Sequence, residues 1–258
     1  MDWTAPDGWP MQGFLALPPG RAAGTAQAPL PLVTIVHGGP TGAVRFDYQV
    51  GRYARVLADA GLAVFVPNYR GSTGWGMAFA ESNIGDMGGA DFTDIQSGID
   101  WLIADGVADA NRLGICGWSY GGFMTAWAIG QTDRFSAAMA GAAVTDWPSF
   151  HGRSYLHTWD RKHYGDSDPY DPTSAHARFN PFAHVKAIHT PTLILHGELD
   201  LDVPVEQAYF LHRALMDFGV ETQLVVYPRE PHGFTEYAHR LDQFTRLRDW
   251  MVSHLAQR

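Results

Sequence analysis

Short apolar runs alternate along this chain with stretches whose apolar residues recur every three or four positions. Leu32-Val33-Thr34-Ile35-Val36 is a β-branched run of buried-strand type. Within residues 48–60, Val50, Tyr53, Ala54 and Leu57 follow at helical spacing, and Gly61 ends that segment. Leu62-Ala63-Val64-Phe65-Val66 reads as the next strand, which Pro67 is expected to stop. Phe92, Ile95, Ile99 and Leu102 line one helix face, Arg112–Cys116 is a strand, and a helix runs from Gly121 to Ile129. Ala137–Ala142 is a strand of small residues. Further on come a strand at Leu193–Leu195, a helix at Val205–Phe218 and a strand at Gln223–Tyr227. A closing helix over residues 237–256 carries Phe244, Leu247, Met251 and Leu255. Apolar strands alternating with amphipathic helices imply an α/β fold: a mostly parallel central sheet flanked by helices on both faces. Two stretches break the rhythm. Pro18 to Pro31, rich in Pro, Gly and Ala, reads as an exposed loop. Residues 147–185 are polar, aromatic and Pro-containing, and read as an insertion over one end of the sheet.

Composition narrows the function classes. Of 258 residues 46% are hydrophobic, enough for a full core, and only 17% are charged, against roughly 25% in an average soluble domain. A disordered chain or a coiled coil is excluded, and residues 1–258 are expected to form one catalytic unit. Eighteen basic against 27 acidic side chains, with no basic run, argue against nucleic acid or an anionic membrane as partner. Cys116 is the one cysteine, so no internal disulfide and no multi-cysteine metal site is expected. The start, Met1-Asp2-Trp3-Thr4-Ala5-Pro6, has neither a basic nor an apolar leader region, and no apolar run nears the ~18 residues of a membrane span. A soluble, cytoplasmic chain is the expectation, with self-association into a homo-oligomer left open.

The sharpest chemical signal is Gly117-Trp118-Ser119-Tyr120-Gly121-Gly122, lying between an expected strand and an expected helix. That is the context of a G-x-S-x-G nucleophile elbow, whose glycines let neighbouring backbone pass close to a strained serine. A capped Gly-rich turn would need no such context. A serine nucleophile needs a base, and the base an orienting carboxylate, in the chain order Ser, Asp/Glu, His. Two loops after expected strands supply them: His196-Gly197-Glu198-Leu199-Asp200-Leu201-Asp202 and Pro231-His232-Gly233-Phe234. Asp200 and His232 are the preferred pair, although spacing alone leaves Glu198 and Asp202 as alternatives to Asp200. Oxyanion donors are expected at the backbone N–H of Tyr120 and in the loop His37-Gly38-Gly39-Pro40. His37 and His196 end strands beside glycines and read as loop-locking hydrogen-bonders. His151, His157, His163 and His176, with Asp160 and Asp166, fall in the insertion without any H-E-x-x-H pattern, so neither a metal nor another cofactor is expected. The insertion aromatics Trp147, Phe150, Tyr155, Trp159, Tyr164 and Phe179 are expected to anchor the segment and, for at least two of them, to wall an apolar substrate pocket.

Six motifs in order carry a family resemblance: His37-Gly38-Gly39-Pro40; Asn68-Tyr69-Arg70-Gly71-Ser72-Thr73-Gly74-Trp75-Gly76; Gly85-Asp86 with Asp91 and Asp94; Gly117 to Gly122; His196-Gly197-Glu198-Leu199-Asp200; and Tyr227-Pro228-Arg229-Glu230-Pro231-His232-Gly233. Together they resemble the prolyl oligopeptidase family of serine hydrolases, most closely the catalytic domain of its acylaminoacyl peptidases. The resemblance spans nearly the whole chain from about Trp3 and implies an α/β-hydrolase fold. It implies Ser119 as nucleophile, Asp200 as acid, His232 as base, and the Tyr120 and Gly39 backbones as oxyanion donors. Two features depart from the family pattern. No N-terminal β-propeller is present, and Trp3-Thr4-Ala5-Pro6-Asp7-Gly8 resembles the point where a catalytic domain begins after one. Pro231 stands before the histidine where the family often has glycine. The leading expectation is a peptidase acting through an acyl-enzyme on short or N-acylated peptides. A stand-alone carboxylesterase on small acyl esters is the alternative that the missing propeller favours. A non-catalytic hydrolase-fold binding module is the remote one, since no triad residue is missing.

Overall fold

The computed structural model describes residues 1–22, 28–45 and 48–255. Residues 23–27 of the expected Pro18–Pro31 loop, the Val50 side chain and residue 256 of the expected last helix lie outside the described set. Eight strands form one sheet in the order β1-β2-β4-β3-β5-β6-β7-β8. They are β1 (Asp2–Thr4), β2 (Pro10–Ala16), β3 (Leu30–Val36), β4 (Ala63–Asn68), β5 (Ala108–Trp118), β6 (Ala137–Gly141), β7 (Thr192–Gly197) and β8 (Thr222–Tyr227). β2 runs antiparallel to β1 and to β4, and every other pairing is parallel. Pro67 does not end β4 as expected. The β3 pairing stops at Thr34–Phe65, and beyond it β4 pairs only with β2, so a residue without an N–H is tolerated there.

Alternation along the strands sorts side chains into two cores. Val33, Val64, Val66, Cys116, Met139, Leu193 and Leu195 point to one face. There they meet Ala54 and Leu57 of α1 (Tyr48–Asp59) and Leu247, Met251 and Leu255 of the last helix (Tyr237–Leu255). Leu32, Phe65, Ile115, Ala138, Ala140 and Ile194 point the other way. They meet Ile95, Ile99 and Leu102 of the helix Ala90–Ala104, and Phe123, Met124 and Ala126 of the helix Tyr120–Gln131. Each core is buried apolar surface removed from water, the main force holding such a layered fold together. Among the described residues no helix is long and apolar enough to cross a membrane.

Strand order reverses at β3, whose neighbours are β4 and β5. The crevice at the carboxyl ends of β3 and β5 is thus a topological switch point, the place where open α/β sheets bind ligands. The segment between β6 and β7 folds as three short helices (Trp147–Arg153, His157–His163, Ala175–Arg178) and a 3-10 turn (Pro181–Ala187). Trp147 anchors it: the indole packs edge-on against Phe123, Phe150 and Tyr164 at 5.0, 5.4 and 5.1 Å, and its N–H donates to the Phe179 carbonyl at 3.1 Å. Gln207, buried in the helix Glu206–Asp217, accepts from the Thr145 and Asp146 N–H groups at 2.9 and 2.8 Å and ties the segment's root to the core. Trp147→Ala should therefore cost about 3–5 kcal/mol in urea unfolding, while Tyr155→Phe, at a side chain 60% exposed, should cost about 1 kcal/mol or less. Equal losses in the two variants would mean that Trp147 is not the anchor.

Candidate active site

Ser119 joins β5 to the helix Tyr120–Gln131, with φ 61° and ψ −120°. A non-glycine residue at positive φ is strained and persists only where its surroundings dictate it. Here the Ser119 N–H donates to the Gly141 carbonyl and the Ser119 carbonyl accepts from the Phe123 N–H, both at 2.9 Å. The turn closes because Gly121 has no side chain: a Cβ there would run into the Val36 carbonyl at the end of β3. The Ser119 hydroxyl caps no helix N–H. The Tyr120 N–H, first of the helix, carries the positive end of its dipole. The Tyr120 hydroxyl donates to Asp91, which is fully buried and also accepts from the Gly88 and Phe92 N–H groups at 2.9 and 2.8 Å.

The loop after β3 runs beside this serine, since a Cβ on Gly38 would sit 3.4 Å from Ser119 Cβ. Gly39 has φ 124°, and a Cβ there would lie 2.6 Å from the N atoms of Thr41 and Gly42. His37 locks the loop as its sequence position suggests. Its Nε2 bonds Ser72 Oγ at 2.9 Å, its ring stacks on Tyr69 at 4.3 Å, and its carbonyl accepts from the Tyr69 hydroxyl at 2.7 Å. Burial pushes the His37 imidazole down to about 4, so it stays neutral near pH 7.

The acid and base loops follow β7 and β8. Of the three carboxylates offered by Glu198, Asp200 and Asp202, Asp200 is the one that meets the histidine: Oδ2 lies 2.7 Å from His232 Nδ1. A carboxylate can only accept, so Nδ1 carries the proton and Nε2 is left with a free lone pair. Asp200 Oδ1 accepts from the Asp202 and Val203 N–H groups at 3.0 and 2.9 Å. Burial alone would raise the Asp200 carboxyl, but His196, His232 and the Val203 N–H outweigh it and hold Asp200 below its usual range. His196 Nε2 donates to the Val203 carbonyl at 2.8 Å and stands 3.4 Å from Asp200 Oδ2. Glu198 instead accepts from the Arg229 N–H at 2.8 Å, and Asp202 from the Tyr155 hydroxyl at 2.6 Å. Beneath the histidine loop the buried Glu230 carboxylate accepts from the Thr235 and Glu236 N–H groups at 2.6 and 2.9 Å and pairs with His239 at 2.8 Å. Burial works against that charge, yet those hydrogen bonds bring Glu230 down to about 2. Ser119 and His232 are brought to the same end of the sheet without a hydrogen bond between them among the described contacts.

Two findings depart from the sequence reading. Trp147 and Phe150, expected as pocket walls, have 0% and 1% of their surface accessible and belong to the core that holds the insertion down. Tyr164 and Phe179 are buried with them, whereas Tyr155 is exposed and Trp159 half-buried. An aromatic stretch signals burial but not which side of the segment each ring takes. The other is Trp118, whose indole N–H donates to the His232 carbonyl at 2.8 Å. Nothing in the sequence pairs residues so far apart, and only its place next to Ser119 hinted at a role. The insertion histidines have structural partners: His151 and His176 both face Asp160 Oδ2, at 2.9 and 3.1 Å, and His163 bonds the Trp159 carbonyl at 3.0 Å.

Burial, opposed by the hydrogen bonds from Tyr120 and Asn83, pushes the Asp91 carboxyl from its ordinary 3.8 up to about 7. A carboxyl raised on folding stabilises the protein through its proton, fully below pH 3.8, and that contribution is lost as pH rises through about 7. The stability of the wild type relative to Asp91→Asn should therefore fall between about pH 4 and pH 8, read from urea titrations at each pH. A difference independent of pH would show that Asp91 ionises as readily folded as unfolded.

The chain is similar to known proteins in both sequence and fold. The chain is 36% identical over 99% of its length to a Bacillus subtilis protein described as the uncharacterized peptidase YuxL, of which it covers 39%. It is 32% identical over 85% of its length to the acylamino-acid-releasing enzyme of Arabidopsis thaliana, covering 30% of that protein. The chain thus spans well under half the length of these relatives. In three dimensions it matches the Pyrococcus horikoshii acylaminoacyl peptidase with a TM-score of 0.90 at 26% identity, over 100% of this chain and 42% of the other, which is the α/β-hydrolase fold expected from the motifs. Residues 48–258 match the prolyl oligopeptidase family, and the chain belongs to that family.

Proposed function

We propose that this chain is the catalytic unit of a serine peptidase that acts on short or N-acylated peptides through an acyl-enzyme. The observation that carries the reading is the Asp200–His232 hydrogen bond of 2.7 Å beside a strained Ser119 at a helix N-terminus. The names of the acylamino-acid-releasing relatives favour an acylated peptide as substrate. In this reading residues 1–258 work as one unit, and Tyr155 and Trp159 of the insertion are the aromatics still open to a substrate. A cytoplasmic setting suits the one cysteine, Cys116, which is buried and unpaired.

The chemistry follows from the groups present. His232 Nε2 takes the Ser119 proton as Oγ attacks the scissile carbonyl carbon. The negative charge that develops on the carbonyl oxygen is stabilised by the N–H groups of Tyr120 and Gly39. His232 then gives its proton to the leaving nitrogen, the C–N bond breaks, and the acyl group stays on Ser119. Water attacks that ester by the same route and restores the serine. Asp200 keeps His232 in the required tautomer and offsets its positive charge. His232 is the sole base in this scheme, and no step calls on a metal or cofactor.

A fluorophosphonate probe should label the protein once, and Ser119→Ala should abolish both the label and hydrolysis. Persistent labelling in that variant would reject Ser119 as nucleophile. Asp200→Asn should lower kcat by about 10⁴-fold with the fold intact, whereas Asp202→Asn should change it little. The reverse order would move the acid to Asp202. An N-acetyl-aminoacyl anilide should be turned over in preference to its free-amino counterpart. Turnover of p-nitrophenyl acetate with neither anilide cleaved would point to an esterase instead.

A further inference from the structure

We propose that Trp118 is a positioning residue for His232, its indole N–H fixing where the imidazole stands relative to Ser119. The proposal rests on the assignment of Ser119, Asp200 and His232 made above. His232 sits at the tip of a loop between β8 and the last helix, outside any regular element. Glu230 fastens the far part of that loop through Thr235 and Glu236. Among the described residues, the one hydrogen bond to the His232 main chain is the 2.8 Å bond from Trp118 Nε1. Asp200 holds the ring at Nδ1. With the main-chain carbonyl held as well, His232 is fixed at its backbone and at Nδ1, and Nε2 has a defined direction.

The donor itself is rigidly seated. The Trp118 ring lies over Gly141, where a Cβ would run into it, and packs edge-on against Phe234 at 5.1 Å. Gly141 is also the residue whose carbonyl accepts from the Ser119 N–H at 2.9 Å. The nucleophile's backbone and the ring that holds the base are therefore registered on one residue of β6. A residue whose only task was packing would need the ring but not its N–H. This chain orients that N–H onto the backbone of the base.

The test replaces the N–H while keeping the ring. Site-specific incorporation of benzothienylalanine at 118 substitutes sulfur for N–H in a bicycle of the same shape, and Trp118→Phe is the simpler companion. Both proteins are assayed with p-nitrophenyl acetate and an N-acetyl-aminoacyl anilide, with Ser119→Ala alongside. We expect kcat and the rate of fluorophosphonate labelling to fall together by about tenfold, the factor that one ordinary hydrogen bond commands. KM should change less than about twofold, because the lost bond orients the base rather than binding substrate, and the fall in kcat should persist at temperatures well below the Tm of each variant, where the protein is fully folded. Wild-type kcat in the benzothienylalanine protein would overturn the positioning role, as would a loss of kcat fully accounted for by a lower Tm. Activity retained by Ser119→Ala would instead refute the assignment on which the proposal rests.

Discussion

The close approach of Gly121 to the carbonyl of Val36 governs everything at the carboxyl edge of this sheet. Only a residue without a side chain lets the helix Tyr120–Gln131 begin so near the end of β3, and only that start forces Ser119 to φ 61°. The same approach sets the start of that helix beside the His37-Gly38-Gly39 loop, so that the strained serine and the proposed oxyanion donors come from one steric fact. The strain is borne by the layered core beneath, in which Phe123, Met124 and Ala126 of that helix are buried against the sheet.

Around this point the polar groups are arranged by burial as much as by charge. Asp200 is sequestered and yet kept ionised by two histidines and two backbone N–H groups. Glu230 is held charged in a similar way under the loop that presents His232, while Asp91, facing mostly neutral donors, is pushed towards protonation. His37 is kept neutral beside the proposed oxyanion donors, where an imidazolium would otherwise compete as a donor. Tyr155 and Ser154 of the insertion reach across to Asp202, so the insertion braces the acid loop.

Much of this was legible in the sequence because the signals are local. The runs Leu32–Val36 and Gln223–Tyr227 and the 3.6-residue spacing of Ile95, Ile99 and Leu102 each state their own structure. The elbow is local as a motif, although the backbone its Gly121 makes room for, Val36 at the end of β3, is distant in sequence. The hairpin of β1 and β2 escaped notice: β1 has three residues, and β2 opens with Pro10 and carries Gly13, whose added Cβ would press on Phe65 and Val66. Pro67 was misleading for a related reason, as its tolerance depends on which partner strand it faces. The choice among Glu198, Asp200 and Asp202, the inward turn of Trp147 and Phe150, and the reach of Trp118 to His232 all depend on contacts between distant segments. No spacing rule contains those.

The most direct test of the central claim is to trap the intermediate. A slowly deacylating N-acyl-aminoacyl ester, quenched with acid during turnover and followed by peptide mass mapping, reports where the acyl group is carried. A single acylated peptide, modified at Ser119, is expected, forming at least as fast as turnover and absent from His232→Ala. Turnover with no acylated peptide, or with the acyl group on another residue, would contradict it.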